Sequence, residues 1–285
     1  VSEERSRARS RGGGFNCLVV AIAAVTVVVG MLVGAGYFVL DRMSGPVVGS
    51  GCRVALDGAE IELSVEQAAN AATIAGVAFE RGLPKKAVVI AFATVFQESD
   101  FMNLPGGDRD SVGLFQQRPS MGWGEVEQLL DPVFAAGAFY DGLVEVPGYQ
   151  DLPVHEAAQA VQRSADGFAY DQHEDEARIL AAAFTGEVPG AVYCWYPDAE
   201  ARPPAVEAAD EELRRVYGVS ADASDGGAPT GDRGWSMAAW AVAHAQHFGL
   251  GSVTQDDRVW TAEQGAEGWT TVEEAAPALR FDAAG

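Results

Sequence analysis

One carboxylate stands out for its surroundings. Ala87 to Phe96 reads AVVIAFATVF, with Thr94 its only polar residue, and Glu98 follows two positions later. Such a run is the signature of a helix buried on all sides rather than of an amphipathic surface helix. A glutamate carried to the C-terminus of that helix meets apolar walls and the negative end of the helix dipole, and both favour the neutral carboxyl. A carboxyl protonated near neutral pH is what a glycosidic oxygen needs as proton donor when it leaves. Glu98 is therefore the first candidate catalytic residue; the plain alternative is an ordinary glutamate at a helix end.

The residues beyond it suit a polysaccharide groove. Gly106 and Gly107 permit a sharp turn, and Asp108, Arg109, Asp110 and Ser111 supply hydrogen-bonding groups. Val112 to Gln117 is predicted as a strand of a small hairpin. In it, Gly113 would let a sugar ring approach the backbone, and Gln116 and Gln117 can each donate and accept to hydroxyl or N-acetyl groups. Trp123 adds a flat apolar face.

Gln97-Glu98-Ser99 followed by Gly113-Leu114-Phe115-Gln116 resembles the "ES … GLMQ" pair of the lytic transglycosylases and goose-type lysozymes, which cut the glycan strands of peptidoglycan. Gly107-Asp108-Arg109 also matches the "GDR" that precedes "GLMQ" in the goose-type enzymes. The resemblance implies a lysozyme-like fold, Glu98 as general acid, and Asp108 positioning a water or polarising the site. It places Ser99, Gly113, Leu114, Phe115 and Gln116 at the substrate, with Gln117 and Trp123 beside them. One departure is plain: where the goose-type pattern continues "GLMQVD", this chain has Gln117 and Arg118, so the second aspartate is absent. Val154 to Ser164 looks like the third motif of the family, in which a tyrosine and an asparagine line the sugar site. That assigns Gln162 to the cleft and a displaced tyrosine role to Tyr170. From Cys52 to Cys194 the chain looks like an actinobacterial, membrane-anchored branch of the superfamily.

The elements that must position these residues are mostly helical. Ser64 and Gln67 form a capping box opening a helix that Gly82 and Pro84 stop. Pro84 suits the first turn of the buried helix. Asp131-Pro132 is an N-cap followed by a first-turn proline, for a helix to about Val144 with Ala136, Phe139, Tyr140 and Leu143 on one face. Val154 to Ser164 turns Ala157, Ala160 and Val161 to the core, and a helix from about Asp171 to Thr185 ends at Gly186. The expected fold is a mainly α (α+β) lysozyme-like domain over 52–195. After it come a linker with a possible helix (196–231, the helix at Val206 to Tyr217) and a small α/β C-terminal unit (232–285). That unit has one helix from Gly234 to Gly249, with Ala238, Ala241, Val242 and Phe248 inward. Short strand-like pieces follow at Ser252 to Thr254, Arg258 to Thr261, Trp269 to Val272 and Leu279 to Phe281. With Trp235, Trp240, Trp260 and Trp269 it resembles the C-terminal module behind cell-wall enzyme domains in some actinobacterial proteins, itself similar to part of a peptidase fold, without that fold's metal motif.

The N-terminal part is of another kind. Arg5, Arg7, Arg9 and Arg11 precede Phe15 to Leu40, 26 residues without a charge, enough to span a bilayer with tilt. The length exceeds the apolar region of a cleaved signal peptide, so an uncleaved transmembrane anchor is expected, with residues 1–14 cytoplasmic, 15–40 in the membrane, 41–51 a linker and the rest outside. Cys17 stands at the very start of the apolar run and reads as a membrane-interface residue. Beyond residue 40 there are 15 basic and 39 acidic residues, a net charge of -24. Such a surface repels nucleic acid and anionic lipid, and leaves capture of a neutral glycan to the groove. In an oxidising compartment Cys52 and Cys194 are expected to form a disulfide joining the ends of the domain, worth about 4–5 kcal/mol in the chain-entropy treatment. His155 and His173 read as surface residues. His244 and His247 stand three apart without a third metal ligand, so no metal or organic cofactor is implied. Two function classes follow: a membrane-anchored enzyme cleaving the MurNAc-GlcNAc bond of peptidoglycan, by hydrolysis or transglycosylation, and a wall-binding or regulatory protein that kept the groove.

Overall fold

The computed structural model describes residues 49–163, 167–196, 202–221 and 229–284. The expected tail, transmembrane segment and most of the first linker lie outside them. Among the described residues no helix is long and apolar enough to cross a membrane. The architecture is α+β, with helices predominating over two small antiparallel sheets.

The described part opens with a hairpin that the sequence reading passed over. Strands β1 (Gly51–Leu56) and β2 (Ala59–Leu63) are joined by Asp57 and Gly58, both at positive φ, the two-residue turn that matches strand twist. Helix α1 (Val65–Glu80) begins at Ser64 with the expected capping box reciprocated by Gln67. Helix α2 (Lys85–Ser99) is buried from Ala87 to Val95, as its composition requires. The hydroxyl of Thr94 donates to the Ile90 carbonyl, so the one polar side chain in that run is satisfied within the helix.

Beyond the Glu98 loop lie α3 (Val126–Leu129), α4 (Pro132–Val144, capped by the Asp131 carboxylate), α5 (Val154–Gln162) and α6 (Glu174–Phe184). On α5 the sequence reading put Ala160 in the core, but it is exposed and Ala158 is buried in its place. The predicted helix from Asp171 starts three residues later, because Gly167–His173 form a 3-10 turn first. Strand β3 (Val192–Trp195) pairs with β1 to complete a sheet of order β2-β1-β3. This puts Cys52 directly opposite Cys194, and the two form the expected disulfide, fully buried.

The last part packs on what precedes it rather than standing apart. Helix α7 (Val206–Tyr217) and the buried helix α8 (Gly231–Ala243) lie against α1; α9 (Ala245–Phe248) then leads into one long hairpin, β4 (Leu250–Thr261) and β5 (Thr270–Ala283). The four strand-like pieces are thus segments of two strands, whose alternation is broken by register shifts between Leu250 and Arg258. The predicted single helix to Gly249 breaks at His244. Three aromatic side chains stitch the parts together: Trp260 Nε1 donates to the Cys194 carbonyl (3.0 Å), Trp269 Nε1 to that of Val192 (2.8 Å), and the Tyr196 hydroxyl to that of Val242 (2.6 Å). Residues from Gly49 onward accordingly form one compact unit.

Candidate active site

Glu98 stands in the last turn of α2, partly exposed, in a cleft of about 330 Å³. The chain leaving α2 takes a path that costs energy locally. Asp100 and Phe101 both have left-handed backbone (φ 53° and 59°), which costs a non-glycine residue about 1–2 kcal/mol. Side chains from α1 hold it there. Gln67, already in the capping box through Oε1, donates its amide to the Asp100 carbonyl (2.9 Å) and carboxylate (3.0 Å). Asn70 donates to the Phe101 carbonyl (2.8 Å), and Glu66 accepts from the Asn103 amide (3.0 Å). Phe101 is fully buried, edge-on to Phe92 and Phe96. The end of the Glu98 helix is thereby fixed to α1 by three side chains, while the Phe101 ring folds back on its own helix.

On its other side Glu98 meets the 3-10 turn. The Tyr170 hydroxyl, buried, donates to Glu98 Oε1 at 2.7 Å. Gln172 donates to Gln97 Oε1 (3.1 Å), and His173 stacks on Phe96 with ring centroids 5.4 Å apart. His173 is therefore packed against the end of α2 rather than being a plain surface residue. His155 is also largely covered, beside Asp171.

Of the residues expected at the substrate, Glu98, Asp108, Gln116, Gln117, Trp123 and Gln162 line this cleft. The others serve to build it. Leu114 and Phe115 are fully buried, and Phe115 stacks on Phe139 at 4.5 Å, so neither meets a ligand. The Ser99 hydroxyl donates to the Leu114 carbonyl (2.7 Å) and the Gln162 amide to that of Phe115 (2.7 Å), tying the loop to α2 and α5. Val112 to Gln117 is a turn closed by one bridge between its ends, not a strand. Its Gly113 (φ 78°) is required by the protein itself: a Cβ there would stand 2.2 Å from the Leu129 carbonyl oxygen, so no space is kept for a sugar. Tyr170 acts through Glu98 from behind the cleft.

The carboxylates divide sharply. Asp108 lies on the rim with its side chain 92% exposed, its only ion pair among the described residues a loose one to neighbouring Arg109. Asp110 is bound by Arg118 Nε (2.8 Å) and by the amide (2.8 Å) and hydroxyl (3.0 Å) of Ser120; these donors hold its carboxyl well below the usual carboxylate range. Ser111, Arg118, Met121 and Arg163 also line the cleft. Arg163, which nothing in a sequence motif marked, arrives there as the C-cap residue of α5.

A larger concavity, about 920 Å³, lies between α7, the start of α4 and α9, and contains His244 and His247. His244 Nδ1 lies 2.9 Å from the Trp240 carbonyl, and its ring stacks on Trp240 at 4.1 Å. His247 instead faces Arg202. Among the described residues no group of three His, Cys, Asp or Glu side chains could hold a metal ion. No protein-family model matches the chain, and no curated protein sequence is significantly similar to it.

Proposed function

We propose that the protein is a membrane-anchored, lysozyme-like enzyme that cleaves the glycan strands of peptidoglycan at the MurNAc-GlcNAc bond outside the cell. The observation that carries this reading is the setting of Glu98. A buried helix delivers it into a cleft lined by amide side chains, and the Tyr170 hydroxyl fixes Oε1. Oε2 then carries the proton that the leaving oxygen takes, and a carboxyl held in one orientation by a buried partner suits general acid catalysis. The N-terminal apolar segment supplies the anchor.

The same geometry favours the transglycosylase outcome over hydrolysis. A second, fixed carboxylate would be needed to activate water on the far side of the sugar ring. Asp108 is solvated on the rim and Asp110 is consumed by Arg118 and Ser120. With neither set against the sugar, the oxocarbenium-like state is captured by the substrate's own 6-hydroxyl, whose proton passes to the Glu98 carboxylate left by the first step, giving a 1,6-anhydro end. The exposure of Asp108 also supports the other reading, a wall-binding protein with one carboxylate and no turnover. Mass spectrometry of peptidoglycan fragments released by the full chain decides among the three. Anhydro ends support the transglycosylase, reducing ends the hydrolase, and intact strands bound but not cut the binding protein.

A further inference from the structure

We propose that the cleft selects an anionic glycan, through a salt bridge between Arg163 and a carboxylate borne by the sugar strand near the bond to be cut. This rests on the glycan-cleaving reading of the cleft and names a feature its substrate must have. The chain is strongly acidic, with a formal net charge of -22, and its cations are mostly spoken for. Of the cations among the described residues, Arg53, Arg81, Lys85, Arg109, Arg118, Arg178, Arg214 and Arg215 each have a carboxylate within 4 Å. Arg163 has none among the described residues, yet it lines the same cleft as Glu98.

Helix capping does not account for it. Arg163 ends α5 in left-handed backbone (φ 54°, ψ 35°), where glycine is the usual choice. A basic side chain at a helix end is explained when it reaches back to the last carbonyls. Here only the backbone amide does so, to the Gln159 carbonyl at 2.7 Å, while the side chain lies in the cleft. Its position is set by the residue before it, since Gln162 is bonded to the cleft floor at the Phe115 carbonyl. The cleft's other cation is Arg118, standing where the resemblance leads one to expect an aspartate. It has spent its Nε on Asp110, so its charge is already compensated and Arg163 is the cation left for a ligand. An acidic protein repels an anionic strand at long range, and a guanidinium that lines the acid's cleft with no carboxylate partner among the described residues is the local feature that would admit one.

The test uses the full chain carrying Glu98→Gln, so that binding is read without turnover, and three tetrasaccharides of alternating N-acetylglucosamine and N-acetylmuramic acid measured by calorimetry. One has free lactyl carboxylates, one has them capped as methylamides, and one has them extended by an alanyl-glutamate peptide. A hydrogen-bonded ion pair predicts that one anionic glycan binds about 10- to 100-fold more tightly than the methylamide. Preference for the first puts the carboxylate on the sugar, and preference for the third puts it on the peptide. Adding Arg163→Gln should bring that ratio close to one, while Arg163→Lys keeps part of it, and raising the salt should shrink it. Equal affinity for all three, or a preference that survives Arg163→Gln, overturns the proposal. If the wild-type chain still cleaves such strands, the glycan-cleaving reading stands without it. Failure of the wild type to cut, with charge-selective binding intact, overturns that reading alone, and absence of both binding and cleavage overturns both.

Discussion

Helices α2 and α8 are each buried along most of their length, and each brings a titratable side chain to a concavity at its C-terminal end. Helix α2 brings Glu98 to the smaller cleft, and α8 ends at His244, in the larger one. Each has a buried hydroxyl that is satisfied, Thr94 within its own helix and Ser236 on other elements, at the Phe184 carbonyl (2.6 Å) and the Tyr217 hydroxyl (2.9 Å). The ends differ. Glu98 is held by Tyr170 from another element, and its helix exit is clamped from α1. His244 is bonded and stacked onto the turn of helix it terminates. A group positioned by separate elements has an orientation that the fold specifies for something outside the helix, whereas one folded back on its own helix is closing that helix. Size of cavity is therefore the poorer guide to chemistry here.

The strongest way to break this comparison is Glu98→Gln. Under the proposed reading it keeps the shape and the Tyr170 contact but cannot give up a proton, so release of glycan fragments should fall by about two to four orders of magnitude. Unchanged release would move the chemistry elsewhere. Next in size is the disulfide. Cys52→Ser should cost about 2–5 kcal/mol of stability by denaturant titration. Because β3 supplies the carbonyls that hold Trp260 and Trp269, hydrogen exchange should rise more in α8 and β4 than in α2. A uniform rise would mean that β3 does not couple the two regions. Gln67→Ala removes the return half of the α1 capping box and both contacts to the left-handed Asp100, with an expected loss of about 1–3 kcal/mol and slower cleavage, since Glu98 sits two residues before the freed position. Tyr170→Phe removes one hydrogen bond to the acid and should slow cleavage about fivefold to tenfold with little change in melting temperature.

How far these differences could be read in advance depends on how local their causes are. The capping box at Ser64 and Gln67, the Asp131-Pro132 start and the apolar run of α2 from Ala87 to Phe96 are decided within a few residues, and the structure has them where the sequence puts them. Asp57-Gly58 was an equally local hairpin signal that the sequence carries openly. By contrast, the second job of Gln67 lies 33 residues away, the need for Gly113 comes from the Leu129 carbonyl, and Tyr170 meets Glu98 across 72 residues. Val112 to Gln117 is a short run predicted as a strand, yet positive φ at Gly113 and Gln116 makes it a turn. For the same reason Leu114 and Phe115, placed at the substrate by their motif, belong to the core that holds the loop.

The smallest expected effect sharpens the comparison from the His244 side. Desolvation, chiefly, pushes its pKa down to about 4; the Trp240 carbonyl and Glu212 pull it up, and His247 pushes it further down. The unfolded chain takes up this proton near the ordinary histidine value of about 6.5, while the folded protein refuses it until about pH 4. The contribution to stability is thus whole above pH 6.5 and is lost as pH falls through the window from 6.5 to 4. Because the ring is partly exposed, the loss is on the order of 1–2 kcal/mol. His244→Asn keeps a donor for the Trp240 carbonyl but has no proton to gain, so the gap between wild type and variant in urea titrations should change across that window and stay constant above it. Cleavage by this variant at pH 7 should match the wild type, in contrast to Glu98→Gln. Parallel stability curves would show that burial does not tune His244, and a large loss of cleavage would make the two helix ends functionally alike.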